Sequence, residues 1–269
     1  MFCAMMTVGS AEKKPAWVGN HLGMEGLSQD YIEPGYGLEP LKLFGRTVVM
    51  DFKSITLGAD SLPSSIAVHD EKILTAPVSF SVVEKKGTID FKTVSSPVKM
   101  AGKNTIAGSS LMRGGDLELK VEFKIEFDFA FVYTVTLTPK KPVELKKFSM
   151  EIPLKLPTDK LIALNYEPLN RPVSGLEKER RRPRFNLEDD KLFECEYAPD
   201  FWIGNTHYGI SINFATGANW KNQQGKEIVF NPKTSTLMYN LIDRDVRLEK
   251  PEVYHFYLIT TPLRRMPKN

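Results

Sequence analysis

Cysteine is almost absent from this sequence. Cys3 and Cys195 are the two in 269 residues, too few for a disulfide scaffold or a cysteine-based zinc site. Histidine is also sparse: His21, His69, His207 and His255 are scattered, with no HExxH or paired spacing. No metal or other cofactor is therefore expected. A strong charge of one sign is missing too. At a net +3 the chain has no field that would steer it to nucleic acid or an anionic membrane. No segment reaches the roughly 18 apolar residues of a membrane-crossing helix. Helical periodicity does not persist beyond about two turns. The serine-nucleophile pattern GxSxG and phosphate-cradling glycine loops are absent.

What is present is alternation. From 117 to 137 every odd position is apolar: Leu117, Leu119, Val121, Phe123, Ile125, Phe127, Phe129, Phe131, Tyr133, Val135 and Leu137. The even positions between them are mostly charged or polar, as in Glu118, Lys120, Glu122, Lys124, Glu126, Asp128, Thr134 and Thr136. A strand sends successive side chains to opposite faces, so this pattern predicts one buried face and one wet face. Each large apolar side chain gains about 1.5–3 kcal/mol on burial, so the apolar face requires a second layer over it. A single straight strand of this length would span about 70 Å at ~3.3 Å per residue. Two strands joined by a turn near Asp128–Ala130, or one strongly bent strand, are expected. Pro139 ends the run because it donates no ladder hydrogen bond.

Further runs rich in β-branched and aromatic residues recur along the chain, bounded by turn residues. Leu43–Leu57 reads as one or two strands and Ala59–Ser65 as a turn. Ile66–Val68, Ile73–Leu74, Val78–Val83, Ile89–Val94, Val98–Ala101 and Thr105–Met112 read as short strands. Val143–Pro153 alternates imperfectly and predicts a strand with a bulge. After the long polar segment Asn165–Asp190, strands are expected at Lys191–Tyr197, Phe201–Gly204, Gly209–Phe214, Glu227–Phe230, Thr236–Ile242 and Val253–Thr260. The spacing predicts an all-β chain, a large two-sheet antiparallel β-sandwich of supersandwich type with few or no helices.

Residues 15–262 are read as one domain and 263–269 as a linker stub. Met1–Ala11 is apolar and ends in small residues before Glu12-Lys13-Lys14. Residues 1–14 thus read as the end of a secretory signal or as a disordered tail, and a periplasmic or secreted location is expected.

Candidate sites come from aromatic and acidic residues. Trp17, Trp202 and Trp220 each sit beside Gly or Asn turn residues. An aromatic face on a loop with Asn20, Asn205 or His207 nearby suits sugar CH groups and hydroxyls, although most tryptophans are core plugs. The pairs Glu194/Glu196 and Asp243/Asp245 have i, i+2 spacing and share a face on a strand, as a glycosidase acid and base would require. Any alternating strand yields such pairs. The basic run Arg180-Arg181-Arg182-Pro183-Arg184 is nearly cancelled by Glu177, Glu179, Glu188, Asp189 and Asp190, so it reads as a solvated loop.

A family pattern runs through these motifs. It comprises Trp17-Val18-Gly19-Asn20-His21-Leu22-Gly23, Pro34-Gly35-Tyr36, Leu41-Lys42-Leu43-Phe44-Gly45-Arg46 and Tyr133-Thr134-Val135-Thr136-Leu137-Thr138-Pro139. It continues through Glu151-Ile152-Pro153-Leu154, Phe201-Trp202-Ile203-Gly204-Asn205, Gly209-Ile210-Ser211, Asn219-Trp220, Leu241-Ile242-Asp243 and Phe256-Tyr257-Leu258-Ile259-Thr260-Thr261-Pro262. In order and spacing the chain resembles the N-terminal β-sandwich module of glycoside hydrolase family 123-like proteins of Bacteroides type. That resemblance implies a module working beside a TIM-type barrel, whose Asp–Glu pair acts on N-acetylhexosaminides with help from the substrate's N-acetyl group. No catalytic residue carries over, because such a barrel needs about 200 residues or more. The implied role is a non-catalytic, glycan-contacting module. The alternatives are a glycosidase using one of the carboxylate pairs and a structural module that docks a separately encoded barrel.

Overall fold

The computed structural model describes residues 40–126, 128–155, 163–166, 192–205, 207–223 and 225–263, the 163–166 segment by its backbone. The described residues form strands and turns, without helix. The first five strands are β1 (Lys42–Phe44), β2 (Thr47–Met50), β3 (Lys53–Leu57), β4 (Pro63–Val68) and β5 (Glu71–Lys72). They form a five-stranded antiparallel meander in chain order. This stretch is more finely divided than the sequence suggests. Gly45 (φ 59°) and Asp51 (φ 49°) take left-handed turns and cut Leu43–Leu57 into three strands. Pro63, read as part of a turn, opens β4, a strand position that tolerates its missing N–H. His69 and Asp70 both have positive φ (51° and 65°), the geometry of a tight hairpin turn. They fold Glu71–Lys72 back on Ala67–Val68. The expected strand at Ile73–Leu74 therefore starts earlier, and Leu74 makes only an isolated bridge to Leu154.

The chain continues through β6 (Ser79–Glu84), β7 (Gly87–Thr88), β8 (Lys92–Ser95), β9 (Val98–Gly102), β10 (Thr105–Gly114), β11 (Leu117–Ile125), β12 (Phe131–Pro139) and β13 (Val143–Pro153). It then runs through β14 (Ala163–Tyr166), β15 (Phe193–Cys195), β16 (Phe201–Gly204), β17 (Gly209–Phe214), β18 (Ile228–Asn231), β19 (Thr236–Ile242), β20 (Val246–Leu248) and β21 (Glu252–Thr261). The nine-stranded sheet has the order β14-β16-β17-β21-β12-β11-β10-β8, with β9 also on β10. The seven-stranded sheet has the order β15-β18-β19-β13-β6-β7, with β20 also on β13.

The central alternating run becomes β11 and β12, paired in register from Leu117↔Pro139 to Ile125↔Phe131. The turn falls where Asp128 predicts it: Asp128 Oδ1 accepts from the Ala130 amide (3.0 Å), and Phe129 adopts φ 62°. The described odd-numbered side chains from Leu117 to Leu137 are all buried; Phe127 lies outside the described residues. The bulge expected in Val143–Pro153 appears as register shifts in β13 against both β6 and β19. β20 carries a single buried leucine and has no local signal in the sequence, and the strand expected at Ile89–Val94 is reduced to β8, which starts at Lys92, with residues 89–91 in no strand.

The nine- and seven-stranded sheets meet through aromatic rings. Phe148 packs on Tyr254 at 5.5 Å between centroids, Phe214 on Tyr239 at 5.2 Å and Phe201 on Tyr239 at 6.2 Å. The five-stranded sheet joins the nine-stranded one through polar bonds as well. Tyr133 Oη donates to the Ser61 carbonyl (3.3 Å), and Ser110 Oγ to that of Asp60 (2.6 Å). The Arg46 guanidinium ties Leu57 O (3.1 Å) and Gly58 O to Ser96 O (2.6 Å) and Ser96 Oγ (2.8 Å). One continuous apolar core reaches through all three sheets. Most of the segment at 165–190, including the basic run, and the tails at 1–14 and 264–269 lie outside the described residues.

Candidate functional site

The β16–β17 hairpin is built from short alternating stretches. Phe201, Ile203, Ile210, Ile212 and Phe214 point into the core, so Trp202, Gly204, Gly209, Ser211 and Asn213 fall on the outer face of the nine-stranded sheet. In register, Trp202 lies opposite Ser211 and Gly204 opposite Gly209. Next along, β21 places Thr261 beside Gly209, Ile259 beside Ser211 and Tyr257 beside Asn213.

Trp202 is half-buried and lies down across this face. Its Nε1–H donates to Thr261 Oγ1 (3.0 Å), two strands away. A Cβ on Gly209 would come within 2.5–2.6 Å of Trp202 Cε2, Cζ2 and Nε1, and one on Gly204 within 2.7 Å of Cζ2. Only a glycine pair leaves room for the indole to rest on the strands. A ring held this way turns its other side away from the sheet.

A polar cluster sits beside it. Ser211 Oγ–H donates to Asp200 Oδ1 (3.2 Å). The Asn213 amide, oriented to satisfy its neighbours, donates from Nδ2 to Ser211 Oγ (2.6 Å) and Asp200 Oδ1 (3.2 Å). Ser211 is buried, whereas Asp200 is exposed. Tyr257 follows with 42% of its surface exposed. One row further on, His255 Nδ1 and Thr134 Oγ1 share a hydrogen bond (3.0 Å).

The other expected residues take different places. Asn205 Oδ1 accepts from the amides of His207 (2.7 Å) and Tyr208 (2.9 Å), and Tyr208 O accepts from Asn205 N (2.9 Å). Asn205 thus shapes the hairpin tip, as Asx turns do. His207 is exposed at that tip. Trp220 packs inward, edge-on against Tyr197 (5.0 Å), Phe214 (4.9 Å) and Tyr239 (6.4 Å), and its buried Nε1 has no hydrogen-bond acceptor among the described residues. Trp17 and Asn20 lie outside the described residues. Glu194 and Glu196 are both exposed, as is Asp245, and Asp243 is half-buried. Among the described residues no group of three His, Cys, Asp or Glu side chains is disposed to hold a metal ion. The Cys195 thiol is pushed up to about 12, chiefly by burial and then by Glu227 and Glu196, which keeps it protonated and poorly nucleophilic at neutral pH.

A family described as glycoside hydrolase 123, third domain, matches residues 41–262. The chain belongs to that family. This third domain is therefore a carbohydrate-related β-sandwich, and the match spans all three sheets. The sequence resemblance pointed to the same glycoside hydrolase group through its N-terminal module; the matching description numbers the domain third. Solved structures similar to the third domain include a protein of Synechocystis sp. PCC 6803, with 9% identity, TM-score 0.47, and coverage of 83% of this chain and 95% of that one. Another is galactose 1-epimerase from Lactobacillus acidophilus NCFM, with 6% identity, TM-score 0.47, and coverage of 83% and 97%. A galactose mutarotase related enzyme from Lactobacillus acidophilus shows 10% identity, TM-score 0.47, and coverage of 83% and 99%. No curated protein matches the chain. No helix among the described residues is long and apolar enough to cross a membrane.

The sequence singles out Trp202 as a candidate but not Asp200, Ser211, Asn213 and Tyr257, which share its face. Ser211 and Asn213 were visible as the polar positions of β17. Their link to Tyr257 depends on β17 pairing with β21, which no local pattern reveals.

Proposed function

We propose that this third domain is a non-catalytic, carbohydrate-contacting accessory module of a glycan-degradation system, acting in the periplasm or outside the cell. Its partners are an N-acetylhexosamine-containing glycan and a catalytic barrel, supplied by the same protein or a separate one. The observation that carries this reading is the indole of Trp202, laid across the Gly204–Gly209 pair. A flat apolar ring with hydrogen-bonding side chains beside it is the combination that pyranose rings require: the CH face meets the ring and the hydroxyls meet Asp200 and Asn213. Family membership supports the glycan context.

Calorimetric titration with N-acetylglucosamine and N-acetylgalactosamine oligosaccharides tests it. Binding is expected in the parent. Trp202→Ala should weaken it at least tenfold, about 1.4 kcal/mol, while Trp220→Phe leaves it within about twofold because that ring faces the core. Absence of binding, or binding indifferent to Trp202→Ala, removes the reading. Hydrolysis of aryl N-acetylhexosaminides that is lost in Glu194→Gln or Asp243→Asn would replace it with the enzymatic alternative.

A further inference from the structure

We infer that Trp202 is one end of an elongated glycan track on the outer face of the nine-stranded sheet, and that Tyr257 is the other. This rests on the carbohydrate-contacting reading above and states the class of ligand: a linear, uncharged oligosaccharide rather than a single sugar or an acidic chain.

The geometry comes from the strand register. Trp202 rests on Gly209, and Gly209 lies opposite Thr261 on β21. Tyr257 is four residues from Thr261 along β21 and on the same face. At ~3.3 Å per residue along the strand and ~4.8 Å across one strand, the two aromatic positions stand about 14 Å apart. One pyranose ring cannot touch both. The surface between them is graded. Ile259 is half-buried and supplies an apolar floor. Ser211, in the middle row, is hydrogen-bonded to Asp200 and to Asn213, which lies beside Tyr257.

An aromatic platform, a polar cluster and a second aromatic platform in line match a chain whose ring faces and hydroxyl edges alternate in contact. Ser211 and Asn213 satisfy Asp200 Oδ1 internally, and no hydrogen bond among the described residues uses Oδ2. The carboxylate therefore favours hydroxyl or amide donors and opposes carboxylated or sulfated sugars by like-charge repulsion. His255 and Thr134, bonded to each other, flank the Tyr257 end.

The test is a length series. N-acetylglucosamine oligosaccharides of one to five rings are titrated into the parent chain, Trp202→Ala, Tyr257→Ala and Tyr257→Phe, with thermal melts confirming that each variant folds. In the parent, affinity is expected to rise at least tenfold between the monosaccharide and the tetrasaccharide. Tyr257→Ala should remove that rise while leaving the monosaccharide Kd within about twofold, and Tyr257→Phe should retain the rise because the ring is kept. Trp202→Ala should lose affinity at every length. A sulfated oligosaccharide of equal length should bind at least tenfold more weakly, and Asp200→Asn should narrow that difference. If the parent binds the monosaccharide through Trp202 but shows no length dependence, or if Tyr257→Ala keeps it, the track is wrong and the accessory reading survives. If the parent binds no sugar of any length, both are wrong.

Discussion

At the scale of single residues, the most unusual group is Lys53. It lies on β3 with 1% of its surface exposed, and its Nζ has no hydrogen-bond acceptor among the described residues. The ammonium stands over the Phe129 ring at 4.8 Å and near Phe52 at 5.8 Å. Burial lowers its pKa to about 8, partly opposed by the charges of Asp128 and Asp51. Each pKa unit corresponds to about 1.4 kcal/mol, so holding the charge here costs about 3 kcal/mol. Lys53→Met keeps the stem and removes the charge, and is expected to stabilise the fold by roughly 1–3 kcal/mol in urea denaturation. Because the folded pKa lies below the unfolded value of 10.5, the unfolded chain binds more protons between about pH 8 and pH 10.5. The Lys53 contribution to stability therefore rises with pH across that window. The advantage of Lys53→Met should be full at pH 7 and mostly gone by pH 10.5. A difference that stays constant with pH would show that Lys53 has the same pKa in the folded and unfolded chains. Comparing variant with parent cancels Cys195 and the buried tyrosines, whose raised pKa values act in the opposite direction above pH 9–10.

At the scale of elements, the β16–β17 hairpin shows how two glycines set a side chain. Neither needs a positive φ; each is required by what a Cβ would strike. On Gly209 it would meet the Trp202 indole at 2.5 Å, which can swing away. On Gly204 it would meet the Gly209 Cα and the Tyr208 carbonyl, both at 2.5 Å, and backbone cannot swing. Gly209→Ala should therefore cost about 1–3 kcal/mol of stability and weaken glycan binding as the indole leaves Thr261. Gly204→Ala should lower the melting temperature further. Melting curves and titrations of the two variants check the ranking, and equal or reversed effects would contradict the packing described. The same hairpin marks how far a sequence can be read. Phe201–Gly204 and Gly209–Phe214 emerge with their expected limits because alternation and flanking turn residues are local. Trp202 could be named as an exposed-turn aromatic, but its posture could not, since that depends on a glycine across the ladder.

At the scale of the molecule, the three sheets share one core, and the ladders that assemble it join distant parts of the chain, such as β6 with β13 and β17 with β21. Non-local antiparallel pairing of this kind folds slowly and loses its packing together. Cys195 reports on this because it is buried on β15, the strand at the β18 end of the seven-stranded sheet. Iodoacetamide at pH 8 should leave Cys195 unmodified in the native protein. In rising urea, its labelling, read by peptide mass spectrometry, should follow the loss of far-ultraviolet dichroism. Labelling at lower urea would show that β15 opens before the rest.

Local chemistry alone was enough to specify an all-β chain, the buried face of Leu117–Leu137, the Asp128 turn and the bulge in Val143–Pro153, because period-two alternation and turn preference act over a few residues. Tertiary structure decided the rest. It added a third sheet from residues 42–72, buried Lys53 against Phe129, turned Trp220 inward and set Trp202, Asp200, Asn213 and Tyr257 on one face. Those outcomes depend on which strands lie side by side, and strand pairing is chosen by the packing of the whole core rather than by the residues within any one strand.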